Sequence, residues 1–453
     1  MNKIIYLLVS IFVWFSTPAF AQQDNTPETF TLFEALEIAL QNNHDIVISR
    51  NEEEINSNNA TVGNAGLLPN VTLSGSLNNS VENTRNEFND GNVQDVENAG
   101  SSIQSISINA NYTLFDGFGN YYRFRSLQNL SEQSGVLTRL QIESTLFQVI
   151  QFYLVAITSR ESIRINQEAI ERSIDRYDRA KKQNELGIGT SIDLLNAQVD
   201  LNSDSVAYLQ SVTDYRVAKR DLLISLGMDP AKNIEITEQL DLSFNADLGP
   251  VLEHSFQQNS SYVLAQLGLN SSSYNLKQER ARRFPVIGAT GSYGISNSEF
   301  DAGQITAQEV DGFSFGLTLS WNLFNGRQQE TRIQNALISL KNSEEELNRT
   351  KLSLDRDVRN TYDEYTTNVF LVEKELVNLE TANLNYKRSQ ELFQLGQITN
   401  AELRNAQLNI SRIEERILNL RIQAKISEVE LYQLSGKLIE MDDGKINVAP
   451  ELR

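Results

Sequence analysis

The stretch Leu114-Phe115-Asp116-Gly117 marks a change of pattern that recurs at Leu323-Phe324-Asn325-Gly326. From Ser105 to Leu114, apolar and polar residues alternate, which is the period of a half-buried β-strand. After Gly117 the apolar residues follow the period of a helix. Each copy is therefore predicted to join a strand directly to a helix. The candidate junction residues are Phe115, Gly117, Phe324 and Gly326.

The two halves of the chain match at constant spacing. The second stretch lies 209 residues after the first, and the same offset relates Leu186-Gly187 to Leu395-Gly396. Upstream, an offset of 216 relates residues 43–69 to residues 259–285. A spacing held over this length indicates an internal duplication. The offset falls from 216 to 209 between the two strands of each half, so we predict that the second loop is seven residues shorter.

The duplication divides the chain into predicted segments. They are a signal peptide at 1–21; a first repeat at 22–228, with a β-hairpin at 70–115 and a long helical hairpin at 117–226; a linker at 229–250; a second repeat at 251–436, with a β-hairpin at 286–324 and a helical hairpin at 326–436; and a tail at 437–453. Within the first β-hairpin, the polar residues 79–102 are predicted to form a long loop. The first helix of each helical hairpin carries a coiled-coil seam and would be about 100 Å long at 1.5 Å per residue.

Residues 1–21 have the features of a secretory signal. Lys3 precedes an apolar run from Ile4 to Phe15, and Ala19-Phe20-Ala21 is a small-x-small cleavage site. The alternative is a membrane anchor, which the shortness of the run and the cleavage site disfavour. The mature protein is therefore predicted to be exported.

The composition excludes several classes of function. The chain has no Cys, which rules out disulfides and thiolate metal sites, and it has only two His. A net charge of −20 argues against nucleic acid as a partner. No nucleotide-binding loop, nucleophile–base pair or metal-binding motif is found in the sequence. We therefore expect neither an enzyme nor a cofactor.

The four predicted strands each have one apolar face and one face of Ser, Thr, Asn and Gly. Such strands also occur in small soluble sheets packed on a helix. Here, however, they are about ten residues long, which is enough to cross a bilayer at a tilt of about 45°. Because open strand edges cannot persist in lipid, four membrane strands would have to close with strands of other copies. Geometry alone permits two, three or four copies.

These features resemble the TolC-like outer membrane factors, the channels of Gram-negative efflux pumps and type I secretion. The resemblance is carried by Thr31-Leu-Phe-Glu-Ala-Leu-Glu-Ile-Ala-Leu-Gln-Asn-Asn43, by the two junction stretches and by the two Leu-Gly turns followed by Asn-Ala-Gln. It implies a mainly α fold with a membrane β-barrel. The expected homotrimer has a twelve-stranded barrel in outer-membrane lipid and a twelve-helix α-barrel in the periplasm. It also implies two partners, a periplasmic adaptor and an inner-membrane transporter of the RND, ABC or MFS type.

The resemblance also implies site residues at the ends of the helical hairpins. The tips that would dock the adaptor are Leu186, Gly187 and Thr190 in the first half and Leu395, Gly396 and Thr399 in the second. The periplasmic aperture would be lined by Glu402 and Asn405, with Phe393 helping to hold the closed state. Each has a structural alternative: the glycines as helix C-caps, Glu402 as a capping-box residue with Thr399, and Phe393 as a coiled-coil core residue.

The leading functional hypothesis is a passive exit duct without chemistry of its own. One alternative is a periplasmic coiled-coil protein with a structural or adhesive role and no pore. A second alternative is the adaptor itself, which the duplicated alternating strands disfavour because an adaptor should be soluble once its N-terminal segment is removed.

Overall fold

The computed structural model describes residues 28–236, 247–302, 305–442 and 445–448. The predicted signal peptide lies outside the described residues. The first half consists of β1 (Glu28–Phe30), α1 (Leu32–Asn42), α2 (His44–Asn59), β2 (Asn70–Glu87), β3 (Val93–Phe115), α3 (Gly119–Glu185) and α4 (Ser191–Ser225). After β4 (Ile234–Ile236), the second half consists of α5 (Leu248–Gln258), α6 (Ser260–Ala281), β5 (Val286–Phe300), β6 (Ala307–Ser320), α7 (Gln328–Gln394) and α8 (Asn400–Leu434). The strands β7 (Ile439–Asp442) and β8 (Lys445–Val448) follow.

The duplication is visible in the lengths of the helices. The long helices α3 and α7 both have 67 residues, and the returning helices α4 and α8 both have 35. The short helices α1 and α5 both have 11 residues. At 1.5 Å per residue, α3 and α7 are each about 100 Å long.

One antiparallel sheet joins the two halves, in the order β2-β3-β5-β6. Its central pairing is between β3 and β5, where Ile108 lies opposite Tyr293. Strands β2 and β6 are the edges, and in the described residues each of them pairs on one side only.

The strands of the first hairpin are longer than predicted, and the length difference between the halves lies in the strands: five residues separate β2 from β3 and six separate β5 from β6, so the second loop is not seven residues shorter. Most of the segment predicted as a polar loop, 79–102, belongs to β2 and β3, which have 18 and 23 residues. The prediction failed because backbone ladder bonds do not require apolar side chains, and polar pairs across the strands can support the ladder. Ser80 and Ser101, for example, lie opposite each other with their hydroxyls 2.8 Å apart.

The second hairpin ends earlier than predicted. Strand β6 stops at Ser320, so the expected strand residues 321–324 have no ladder partner in the described chain. The first junction differs because Phe115, at the end of β3, pairs with Ile287 of β5. The register accounts for the difference, since Ser320 already lies opposite Val286, the first residue of β5, and the residues after Ser320 have no strand beside them.

The predicted linker and the predicted tail both contain short strands. The predicted linker, 229–250, includes β4, which pairs in parallel with β1, and also the start of α5. The predicted tail, 437–453, includes the antiparallel pair β7 and β8.

The main core lies around the middle of α3. There α1, α4, β1 and β4 surround fully buried side chains such as Leu146, Val149 and Tyr153. Helix α3 also contains the one 18-residue window, among the described helices, that is apolar enough to cross a membrane, with a mean hydropathy of 1.3. More than half of that window is buried inside the chain. A smaller core packs α5 against α7 and α8.

The returning helices end on equivalent asparagines in the two halves. The side-chain oxygen of Asn43 caps α2, while its amide donates to the carbonyl oxygen of Ser225 at 2.8 Å. Asn259 caps α6 in the same way and donates to the carbonyl oxygen of Leu434 at 3.1 Å. Each helical hairpin is thus attached at its base by one capping side chain.

Candidate functional site

The two faces of the sheet differ sharply in polarity. On one face, an apolar row crosses all four strands through Leu73, Ile108, Tyr293 and Phe313, which the register aligns. All four side chains are exposed in the single chain. An apolar face of this extent has to be covered by lipid or by protein.

The opposite face is polar and nearly free of charge over the same part of the strands. Ser76 and Ser105 face each other at 2.8 Å between hydroxyls, and so do Ser292 and Ser314. Since their hydroxyls satisfy one another and can also bind water, this face can line an aqueous passage without fixed charges.

The junction residues form tight turns that start the long helices. Gly117 and Gly326 adopt positive φ angles of 73° and 65°, and the residue after each is also left-handed. The side chain of Asp116 accepts from the backbone N–H of Asn120 at 2.7 Å, and thereby satisfies a donor in the first turn of α3. In the second half Asn325 accepts from the N–H of Gln329 at 3.4 Å, which explains why Asp or Asn occupies this position.

Phe115 and Phe324 have different environments. Phe115 is half-buried and meets Phe118 edge to face, with ring centroids 5.7 Å apart. Phe324 is exposed in the single chain, beyond the end of β6. The two predicted junctions are therefore equivalent in backbone but not in packing.

The predicted tips are the exposed ends of the helical hairpins. Gly187 and Gly396 have φ angles of 71° and 70°, and both turns close with hydrogen bonds of the Schellman type. The leucine before each glycine is exposed, at 73% for Leu186 and 71% for Leu395. Thr190 and Thr399 then cap α4 and α8. The glycines are thus C-caps, and their tips present apolar side chains outward.

Glu402 and Asn405 lie one turn apart on an exposed face at the start of α8. Glu402 completes a capping box with Thr399, whose backbone N–H donates to the carboxylate at 2.7 Å. This hydrogen bond lowers the pKa of the Glu402 carboxyl in the single chain. In the first half, Thr190 accepts from the N–H of Asp193 at 3.1 Å without the reciprocal bond of a full capping box. Phe393 is half-buried on the last turn of α7.

A charged cluster near the tips was not predicted. Arg404 of α8 forms a bidentate pair with Asp204 of α4, at 2.7 and 2.8 Å. Arg176 of α3, only 2% exposed, binds Asp200 of α4 at 2.8 Å and Gln407 of α8 at 2.9 Å. Burial lowers the pKa of the Arg176 guanidinium. The coiled-coil pattern of apolar residues does not reveal this cluster, because its charged side chains come from three separate helices and meet only in the folded chain.

The described residues contain no group of three His, Asp or Glu side chains placed to hold a metal ion.

Comparison with known proteins identifies the family. The family model described as outer membrane efflux protein matches residues 35–228 and 251–437, most of the chain. The chain belongs to the outer membrane efflux protein family. It is therefore an outer-membrane channel protein with its helices in the periplasm, as the sequence predicted. This result disfavours a periplasmic coiled-coil protein without a pore.

Individual relatives of this efflux protein are distant but cover nearly its full length. It is 20% identical over 419 residues to the alkaline protease secretion protein AprF of Pseudomonas aeruginosa, covering 91% of this chain and 85% of that protein. It is 22% identical to the outer membrane protein TolC of Vibrio cholerae, covering 85% and 86%. The crystal structure of the Campylobacter jejuni CmeC outer membrane channel superposes with a TM-score of 0.77 at 15% identity, covering 90% of this chain and 85% of that one.

Proposed function

We propose that this efflux protein works as a homotrimer in which three copies form one continuous duct. Each copy would supply four strands to a twelve-stranded barrel in the outer membrane and four long helices to a twelve-helix tunnel in the periplasm. The observation that carries the proposal is the four-stranded sheet with an exposed apolar face and two edges that no strand of the described residues pairs with.

The sheet must close into a barrel because of the hydrogen-bonding requirements of the bilayer. In the hydrocarbon core of a bilayer an unpaired backbone N–H or C=O costs several kcal/mol, so a sheet with two open edges is not stable there. The smallest single-chain membrane barrels have eight strands, twice the number in this sheet. Several copies must therefore join edge to edge, and three copies agree with the family resemblance.

The helices extend the duct away from the membrane. Since α3 follows β3 after three residues and α7 follows β6 after seven, the tunnel continues from the barrel without a separate linker domain. A length of about 100 Å per helix carries its far end deep into the periplasm. The duct performs no chemistry itself, so the energy for transport comes from an inner-membrane transporter of the RND, ABC or MFS type.

We assign adaptor docking to the hairpin tips and gating to the start of α8. The exposed Leu186 and Leu395 offer apolar contacts to a periplasmic adaptor. Three copies of Glu402 and Asn405 around the axis would line the aperture, and the carboxylates would attract cations. Phe393 would support the closed arrangement from the adjoining turn.

The test is outer-membrane fractionation followed by recording in planar lipid bilayers. The proposal predicts a detergent-extracted assembly with the mass of three chains that opens single channels. A protein that forms no channels, or that fractionates with soluble periplasmic proteins, would contradict it.

A further inference from the structure

The duplication lets contacts inside one chain predict contacts between two copies. The in-chain seam joins β3, α3 and α4 of the first half to β5, α6 and α8 of the second half. In a closed ring, the equivalent elements β6, α7 and α8 of one copy must meet β2, α2 and α4 of the next copy. Each in-chain contact then has a counterpart between copies. The first-half residue is replaced by the residue 209 positions later. The second-half residue is replaced by the residue 216 positions earlier if it precedes the loop between β5 and β6, and 209 positions earlier if it follows that loop.

The sheet supports this transfer. In the chain, Ile108 lies opposite Tyr293 on the apolar face. Its counterpart places Leu317 of one copy opposite Leu77 of the next, and both side chains are exposed in the single chain. The transferred register therefore keeps apolar side chains on the apolar face.

We propose that neighbouring copies bind each other through a seam in which apolar side chains replace polar and charged residues of the in-chain seam. This inference rests on the proposed trimer, and it names the residues of the copy-to-copy contact.

The first contrast lies where the short helices pack on the long ones. In the chain, the amide of Asn129 donates to the hydroxyl of Ser271 at 2.7 Å, across α3 and α6. The counterparts are Ile338 of α7 and Ile55 of α2, which are 56% and 59% exposed. A polar contact within the chain is thus replaced by two isoleucines between copies.

The second contrast lies farther along the helical hairpins. Glu161 of α3 and Leu418 of α8 line one cleft of about 350 Å³ within the chain, together with three arginines. Their counterparts are Phe370 and Leu209, which are 55% and 63% exposed. Phe370 thus stands where the in-chain cleft has the carboxylate of Glu161, while Leu209 keeps the leucine of the in-chain position.

The third contrast lies near the tips. The counterparts are Asn385 for Arg176, Asn409 for Asp200, Ile413 for Asp204 and Leu195 for Arg404. None of the four in-chain charges is kept. The bidentate pair of Arg404 and Asp204 becomes Leu195 of one copy beside Ile413 of the next.

The difference has a physical reason. The two halves of one chain are covalently linked, so their seam forms at a high effective concentration and needs little affinity. Separate copies must gain their affinity from burying apolar surface. Scattered exposed apolar side chains would need no explanation, but here apolar side chains occupy the counterparts of in-chain contacts at three separate levels.

Thiol crosslinking tests the assignment, because the chain has no Cys of its own. In the double variant I55C/I338C, a short bis-maleimide should move most of the chain to the mass of crosslinked dimers and trimers on denaturing gels. The pair L209C/F370C should do the same, which guards against a folding defect in one variant. The matched control N129C/S271C should crosslink only within one chain and keep the mass of a monomer.

The outcomes separate the inference from the proposed function. If native trimers form and the control crosslinks, but neither test pair yields a product between chains, the inferred contacts are wrong and the duct stands. Crosslinking of the control between chains would also overturn the assignment. If the unsubstituted protein forms no trimer, the proposed function itself fails.

Discussion

Glu402 combines a capping contact with an exposed negative charge. Its carboxylate accepts from the backbone N–H and the hydroxyl of Thr399, at 2.7 and 2.9 Å. Gln can make the same capping contacts, so a substitution by Gln removes the charge while preserving the turn.

We expect E402Q to weaken block by divalent cations and to raise single-channel conductance, because a ring of carboxylates attracts cations and a ring of amides does not. Conductance recorded with and without a divalent salt checks this. The matched control is D193N, which removes the equivalent charge from the first half and should leave block unchanged. Undiminished block in E402Q would assign this residue to capping alone.

The bidentate pair near the tips offers a second test on single residues. Arg404 and Asp204 are 14% and 12% exposed, so either one alone would leave a largely buried charge. We expect R404L and D204I each to destabilise the local structure by about 3–5 kcal/mol, and the double variant by much less than the sum. Hydrogen exchange of the amides in α4 and α8 measures the local opening free energy. Additive effects would contradict direct pairing.

At the level of the elements, one asparagine links the returning helix of each helical hairpin to the start of a short helix. Asn43 is buried, caps α2 and donates to the end of α4. We expect N43A to cost about 2 kcal/mol, from the lost cap and the lost buried hydrogen bond. N43S keeps a capping oxygen and should cost about half as much.

Hydrogen exchange at the start of α2 and the end of α4 distinguishes these two variants. The same pair of substitutions at Asn259 should act at α6 and α8 instead. Equal exchange in N43A and N43S would show that capping contributes nothing at this corner.

The periodicity of apolar residues predicted the helices and strands that show a clear pattern within their own sequence. The helical hairpins, the short strands around the apolar rows and the duplication all follow from residue spacing. The continuation of β2 and β3 through 79–102 was missed because polar residues carry no alternation signal. The end of β6 at Ser320 was misplaced because ladder formation there depends on a neighbouring strand.

The candidate site was predictable only in part. The tips and the capping residues follow from Leu-Gly and Thr-x-x-Glu spacing, which are local signals. The pairing of Arg404 with Asp204 joins residues 200 positions apart, and no local pattern reports such a contact.

In the assembled channel, the hairpin tips allow adaptor docking to be tested independently of ion conduction. We expect L186S/L395S to lose capture of the periplasmic adaptor in pull-down experiments, because apolar contacts at both tips are removed. Channel conductance should be unchanged, since the proposed aperture residues Glu402 and Asn405 are kept. Retained capture would place the docking surface elsewhere on the helices.

In the proposed tube, several copies close through the edges of the sheet that are unpaired in the described chain. Electron microscopy of the detergent-purified protein can show this closure. We expect three copies around one axis, with β6 of each copy paired to β2 of the next in a twelve-stranded barrel. A monomer that stays in solution without detergent, with its four-stranded sheet open at both edges, would contradict the account.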